Sequence, residues 1–160
     1  MPQASGLSVG DVAPDFSVVS STGQTIHLGD YRGRSEVVLF FYPKDNSPAC
    51  TLEACSFRDG YEAFREAGAE VIGISGDSDD SHQGFANRLR LTYPLLSDRD
   101  GSLRKLYRVP KTLGIFPGRV TYVIDRNGVI RQIFSSQIEP WKHIGEALKT
   151  LKSLREELAK

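Results

Sequence analysis

Cysteine is scarce in this chain: its 160 residues include two, Cys50 and Cys55. Two make a poor staple set for a secreted domain. They also fall short of the ligands an all-cysteine zinc site needs. His27, His82 and His143 are scattered and share no ligand spacing with the cysteines. Each reads as a surface or partly buried histidine, and no metal is expected. Excess charge is lacking too, with 20 Lys plus Arg against 20 Asp plus Glu. Zero net charge gives no reason to expect a nucleic-acid or anionic-membrane partner. No apolar run approaches the roughly 20 residues of a membrane helix, so no membrane insertion is expected. Met1 to Gly10 has neither the basic nor the apolar segment of a signal peptide. A cytoplasmic location is expected if the chain is bacterial, and a plastid one if it is a mature chain that has lost a transit peptide.

What is present is an ordinary globular composition, 39% hydrophobic and 25% charged. The length suits one domain over residues 1–160, with 1–6 a loose arm. Residues 16–20 and 24–28, on either side of Thr22-Gly23, fit an N-terminal antiparallel hairpin. The run from Val37 to Tyr42, ended by Pro43, fits a central strand covered on both faces. Phe57, Tyr61 and Phe64 give one helical stripe, which Gly68 is placed to end. A strand is expected at 69–75, then a helix carrying Phe85 and Leu89, and a short helix around Leu103, Leu106 and Tyr107. Val120 to Ile124 and Val129 to Phe134 flank Asn127-Gly128, a hairpin signal. Trp141, Ile144, Leu148, Leu151, Leu154 and Leu158 mark the apolar stripe of a last helix. This alternation predicts an α/β fold with a central mixed sheet flanked by helices.

The chemistry is concentrated between Pro43 and Cys55. Cys50 stands where a buried strand and its loop give way to a helix. Unsatisfied N–H groups at a helix start favour a thiolate, and the thiolate is the nucleophile. Pro48 suits the helix start, Ser47 can bring a hydroxyl near the sulfur or a substrate oxygen, and Pro43 can shield the site from water. Glu53 reads as a favourable first-turn acid. Cys55 follows five positions later. On an intact helix the two cysteines would lie about 7.5 Å apart along the axis and about 140° apart around it. That exceeds disulfide range, so bonding requires local unwinding. Cys55, beside Ala54 and Phe57, also fits a small core hydrophobe, and Cys50 fits that role less readily. Four intervening residues argue against a thioredoxin-type Cys-x-x-Cys pair.

These residues resemble a peroxiredoxin, most closely the bacterioferritin-comigratory or Q type. That family's Pro-x-x-x-Thr/Ser-x-x-Cys motif matches Pro43, Ser47 and Cys50, with serine for the commoner threonine. The usual Pro-Gly before the cysteine is Pro48-Ala49 here. The resolving cysteine of the Q type matches Cys55, and the active-site arginine matches Arg119 in "PGRVTYVID". The resemblance covers about residues 7 to 155. It implies a thioredoxin-like fold and reduction of hydrogen peroxide and organic hydroperoxides. Cys50 would be the peroxidatic nucleophile, Cys55 the resolving thiol, and Arg119 would stabilise thiolate and peroxide. It also implies thioredoxin or a related dithiol protein as reductant, a monomer, and no metal, haem or flavin cofactor. Two other functions stay open from sequence: a general thiol–disulfide oxidoreductase and a non-enzymatic redox-regulated interaction module.

Overall fold

The computed structural model describes residues 7–109, 111–112, 116–136 and 139–158. The expected arm at 1–6 lies outside them. The first elements are β1 (Ser17–Val19) and β2 (Thr25–His27), which pair antiparallel as expected, Ser17 opposite His27. A 3-10 turn, Leu28–Tyr31, leads to β3 (Glu36–Phe41). Then follow α1 (Pro48–Asp59), α2 (Tyr61–Glu66), β4 (Ala69–Ser75) and α3 (Asp79–Leu89). The second half holds β5 (Leu95–Ser97), α4 (Ser102–Leu106), β6 (Lys111–Thr112) and β7 (Phe116–Pro117). It ends with β8 (Val120–Ile124), β9 (Ile130–Ser135) and α5 (Pro140–Leu158).

The main sheet has the order β5-β4-β3-β8-β9. It is mixed: β3 runs parallel to β4 and antiparallel to β8. All six residues of β3 are buried. For the five residues after Glu36 the reason is legible in an unbroken apolar run, since successive side chains of a strand face opposite sides and both must be covered. Val37, Leu39 and Phe41 enter one core with Phe16, Ile26, Ile72 and Tyr107. Val38, Phe40 and Tyr42 enter the other with Phe57, Phe64, Phe85 and Leu151. Phe40 stacks on Phe57, ring centroids 4.4 Å apart, which seats α1 on the sheet. Gly73 makes room for this, because a Cβ there would come within 2.8 Å of the Phe40 ring.

Several expectations need correcting. The stripe of Phe57, Tyr61 and Phe64 is divided at Gly60 into two helices, and Gly68, at φ +83°, follows the end of the second as expected. In α5, Trp141 and Leu158 are exposed, while His143, Ile144, Ala147, Leu151 and Leu154 face the core. The buried arc is thus offset from the stripe of large apolar residues, because a small alanine and a histidine sit where the sheet comes nearest. His82 and His143 are fully buried, not surface or partly buried. Their bonds to neighbouring side chains and carbonyls make burial tolerable. The β6–β7 ladder was not foreseen from sequence. The Asn127-Gly128 turn does connect an antiparallel pair, with Gly128 at φ +82°. Asn127 is not left-handed, and the Asp125 carboxylate accepts from the N–H groups of Asn127 and Val129. Among the described residues, no helix is long and apolar enough to cross a membrane.

Candidate active site

The site forms where β3 ends and α1 begins. Pro43 is half-buried in the intervening loop. Asp45 anchors that loop to α3. Its carboxylate accepts from Tyr42 Oη at 2.7 Å and Ser81 Oγ at 2.8 Å, and lies 2.8 Å from His82 Nδ1. Burial pushes the Asp45 carboxyl up, but its bonds with His82 and Tyr42 outweigh that and hold it below its usual range. Asn46 is left-handed, φ +68°, and turns the chain into the helix.

Ser47 is the N-cap of α1 and Pro48 its first residue. Proline suits this position because its missing N–H would find no partner there. The Ser47 hydroxyl accepts from the Cys50 N–H at 3.3 Å and donates to the Lys44 carbonyl at 3.3 Å. Its bonds here are thus to backbone, not to the sulfur. Cys50, Glu53, Ala54 and Phe57 form the buried face of α1, at the i, i+3, i+4, i+7 spacing of one helical face. Cys55 lies off that face, half-buried, on the same unbroken helix, and both cysteines are free.

Arg119 arrives from the start of β8, beside β3 in the sheet. It is 3% exposed, so its charge acts in a site nearly closed to water. Its Nη2 donates to Cys50 Sγ at 3.3 Å, and its Nη1 donates to Glu53 Oε1 at 2.6 Å. Behind Glu53, from α5, stands His143, with Nδ1 3.5 Å from Glu53 Oε2. His143 Nδ1 lies 2.7 Å from Thr121 Oγ1, and its Nε2 lies 2.9 Å from the Ser136 carbonyl. Burial raises the Glu53 carboxyl to about 8 despite the opposing Arg119 guanidinium. Burial lowers His143 to about 4. Glu53 is therefore not an exposed first-turn acid but a fully buried partner of Arg119.

A model of the AhpC/TSA family matches residues 9–133, more than three quarters of the chain. The chain belongs to this family. Peroxiredoxin Q of Arabidopsis thaliana chloroplasts is 52% identical over 148 residues, covering 92% of this chain and 68% of that protein. The chloroplastic peroxiredoxin Q of Triticum aestivum is 49% identical over 149 residues, with the same coverage of each chain. Among solved structures, peroxidoxin BcpB of Mycobacterium tuberculosis has a TM-score of 0.83 at 37% identity, covering 91% of this chain and 96% of that one. The thioredoxin-like fold and the Q-type peroxiredoxin assignment expected from sequence both hold.

In this peroxiredoxin the sequence motif is brought together in space. Cys50, Ser47 and Arg119 are linked through direct bonds, while Pro43 lies in the loop just before them. Cys55 is held apart, as the helical spacing requires. Sequence reasoning missed the roles of Glu53, His143 and Thr121. Glu53 had a signal, since it stands three residues after Cys50 and so shares its helix face. His143 had none, because its position depends on how α5 crosses the sheet.

Proposed function

We propose that this peroxiredoxin works as a thiol-dependent peroxidase through the Cys50 sulfur, with Arg119 as its electrostatic partner and Cys55 as the resolving thiol. Its substrates are hydroperoxides, and its electrons come from a thioredoxin-type reductant. The observation that carries the residue assignment is the 3.3 Å bond from Arg119 to Cys50 Sγ in a buried site. A guanidinium stays charged and presents several donors in one plane. Aimed at the sulfur, it stabilises the thiolate. With a peroxide in place, it also stabilises charge shifting to the departing oxygen.

In the first step the Cys50 thiolate attacks one peroxide oxygen. An S–O bond forms, the O–O bond breaks, and the departing oxygen takes a proton to leave as water or alcohol. Cys50 is oxidised by two electrons to the sulfenic acid. The first turns of α1 then open, and the Cys55 thiol displaces water from the sulfenic acid to form a disulfide. An external dithiol reduces that disulfide by exchange. Cys50 is 1% exposed. A small peroxide suits such a nucleophile far better than a bulky protein disulfide, which counts against a general oxidoreductase. In this reading the acting unit is a monomer, which is supported by one chain carrying both sulfurs and the arginine.

Intact-protein mass spectrometry after one equivalent of peroxide tests the cycle. The expected product has lost two hydrogens, with Cys50 and Cys55 joined in the peptide map. Cys50→Ser should consume no peroxide rapidly while its circular dichroism stays near wild type. Normal second-order reactivity in that variant would refute the assignment.

A further inference from the structure

The contact behind Arg119 is unusual in one respect. Glu53 Oε2 is fully buried and has no hydrogen-bond partner within bonding range. Its near neighbour is His143 Nδ1 at 3.5 Å. The chemistry of that nitrogen follows from the rest of the ring. His143 Nε2 faces the Ser136 carbonyl at 2.9 Å, and a carbonyl only accepts, so Nε2 carries a hydrogen. In a neutral ring Nδ1 is then a bare lone pair, which accepts from the Thr121 hydroxyl at 2.7 Å. An ionised Glu53 would therefore turn a negative oxygen toward a lone pair. Arg119 donates to the other oxygen, but a buried anionic oxygen left without a donor of its own is disfavoured.

Charge balance around Arg119 leads the same way. One guanidinium faces both the Cys50 sulfur and the Glu53 carboxyl. If both were anionic, a net negative charge would be buried there. A proton on Glu53 removes the excess charge. Its Oε1 still accepts from Arg119, and its Oε2, now a neutral O–H, faces the Nδ1 lone pair alongside the Thr121 hydroxyl instead of turning a negative oxygen on it.

We propose that Glu53 is a neutral carboxylic acid when Cys50 is a thiolate, with its proton on Oε2 directed at neutral His143, so that the charge of Arg119 serves the sulfur. Glu53 and His143 are then positioning residues that act through Arg119. The inference rests on the reading of Cys50 as the reacting sulfur. Among the described residues, the groups around the carboxyl are Arg119 from just before β8, His143 from α5 with Thr121 bonded to it, Cys50 on the same helix face, and Tyr93 from the segment before β5. Burial raises Tyr93 well above its usual range, so it stays neutral and adds no charge. Raised to about 8, Glu53 would ionise as the solution turns mildly alkaline. The carboxylate would then compete with the sulfur for Arg119, and the reaction would slow.

Infrared difference spectra of the whole protein, titrated with pH, read the carboxyl directly. A protonated-carboxyl stretch should be present at neutral pH, fade through about pH 8, and be missing in Glu53→Gln. Nitrogen NMR of the wild-type imidazoles should show His143 neutral and protonated on Nε2 at neutral pH. A neutral-pH spectrum identical in wild type and Glu53→Gln, or an imidazolium at His143, overturns the proposal. The peroxide rate supplies a second readout. The wild-type rate should fall as pH rises through the ionisation of Glu53 near 8, and Glu53→Gln should lose that alkaline limb. An alkaline limb that persists in Glu53→Gln also overturns it. Should Glu53→Gln fail to fold, the wild-type infrared band and its loss through about pH 8 decide. A protein with the expected infrared band but no Cys50-dependent peroxide consumption would refute the proposed function and leave the protonation state standing.

Discussion

At the scale of the residue, Arg119 is the group on which most depends, because it touches the sulfur and the buried carboxyl at once. Removing one transition-state donor costs about 3 kcal/mol, or roughly a hundredfold in rate. Arg119→Ala should slow sulfenic-acid formation by about that factor, read by stopped flow with peroxide. Reduction of the disulfide by a dithiol protein should change much less, since Arg119 has no part in exchange. Arg119→Lys should recover only a fraction of the loss, because one ammonium cannot present two fixed N–H donors in a plane. Equal small effects on both half-reactions would mean that Arg119 only packs. The motif residue Ser47 has a structural contribution beside the one its position suggests. Its hydroxyl caps α1, so its contribution is to helix stability and to the direction of the Cys50 N–H. Ser47→Ala should cost about 1 kcal/mol of stability, and Ser47→Thr should restore most of it, both measured by urea denaturation.

At the scale of the element, the proposed cycle gives α1 two duties that conflict. It presents Cys50 to Arg119 only while folded, and it allows Cys50 to meet Cys55 only when its first turns open. The structure divides these duties along the helix. Phe57 is locked under Phe40 and Phe64, and Tyr93 Oη donates to the Ala54 carbonyl at 2.9 Å. The first turns are tied chiefly by the Ser47 cap, the Arg119 bond to the sulfur and the Arg119 bond to Glu53. Oxidation of Cys50 weakens the second tie, because a neutral sulfenic acid attracts the guanidinium less than a thiolate does. Opening should therefore follow chemistry and stop near Ala54. Cys55→Ser should react once, accumulate sulfenic acid, pass to sulfinic acid under excess peroxide, and turn over poorly with thioredoxin. Hydrogen exchange in the oxidised wild type should quicken across 46–56 while β8 stays protected. An oxidised protein with α1 continuous and no disulfide would leave Cys55 a packing residue.

At the scale of the molecule, what could be read in advance was whatever is local. The continuous apolar run from Val37 to Tyr42 announced a strand buried on both faces, and Pro48 announced a helix start. The link between Cys50 and Arg119 spans 69 residues and was accessible only through resemblance. Nothing in local pattern could place His143 beside Glu53, because that depends on α5 packing across the sheet. The same long-range meeting gives the fold a pH dependence that composition hides. His143 is lowered from 6.5 to about 4 by burial, so between those values the unfolded chain binds more protons. Stability from this group rises with pH across that window. Glu53 is raised from 4.5 to about 8, so between those values the folded chain binds more protons, and stability falls as pH rises. From about 4.5 to 6.5 the two oppose one another, and above 6.5 only Glu53 acts. Urea denaturation should therefore show this pair contributing a loss between about pH 6.5 and 8, bounded near 2 kcal/mol by about 1.4 kcal/mol per unit. Glu53→Gln should flatten that interval relative to wild type, since an amide has no proton to lose. A variant whose stability follows the wild-type curve through the same interval would show that Glu53 is already ionised in the folded protein.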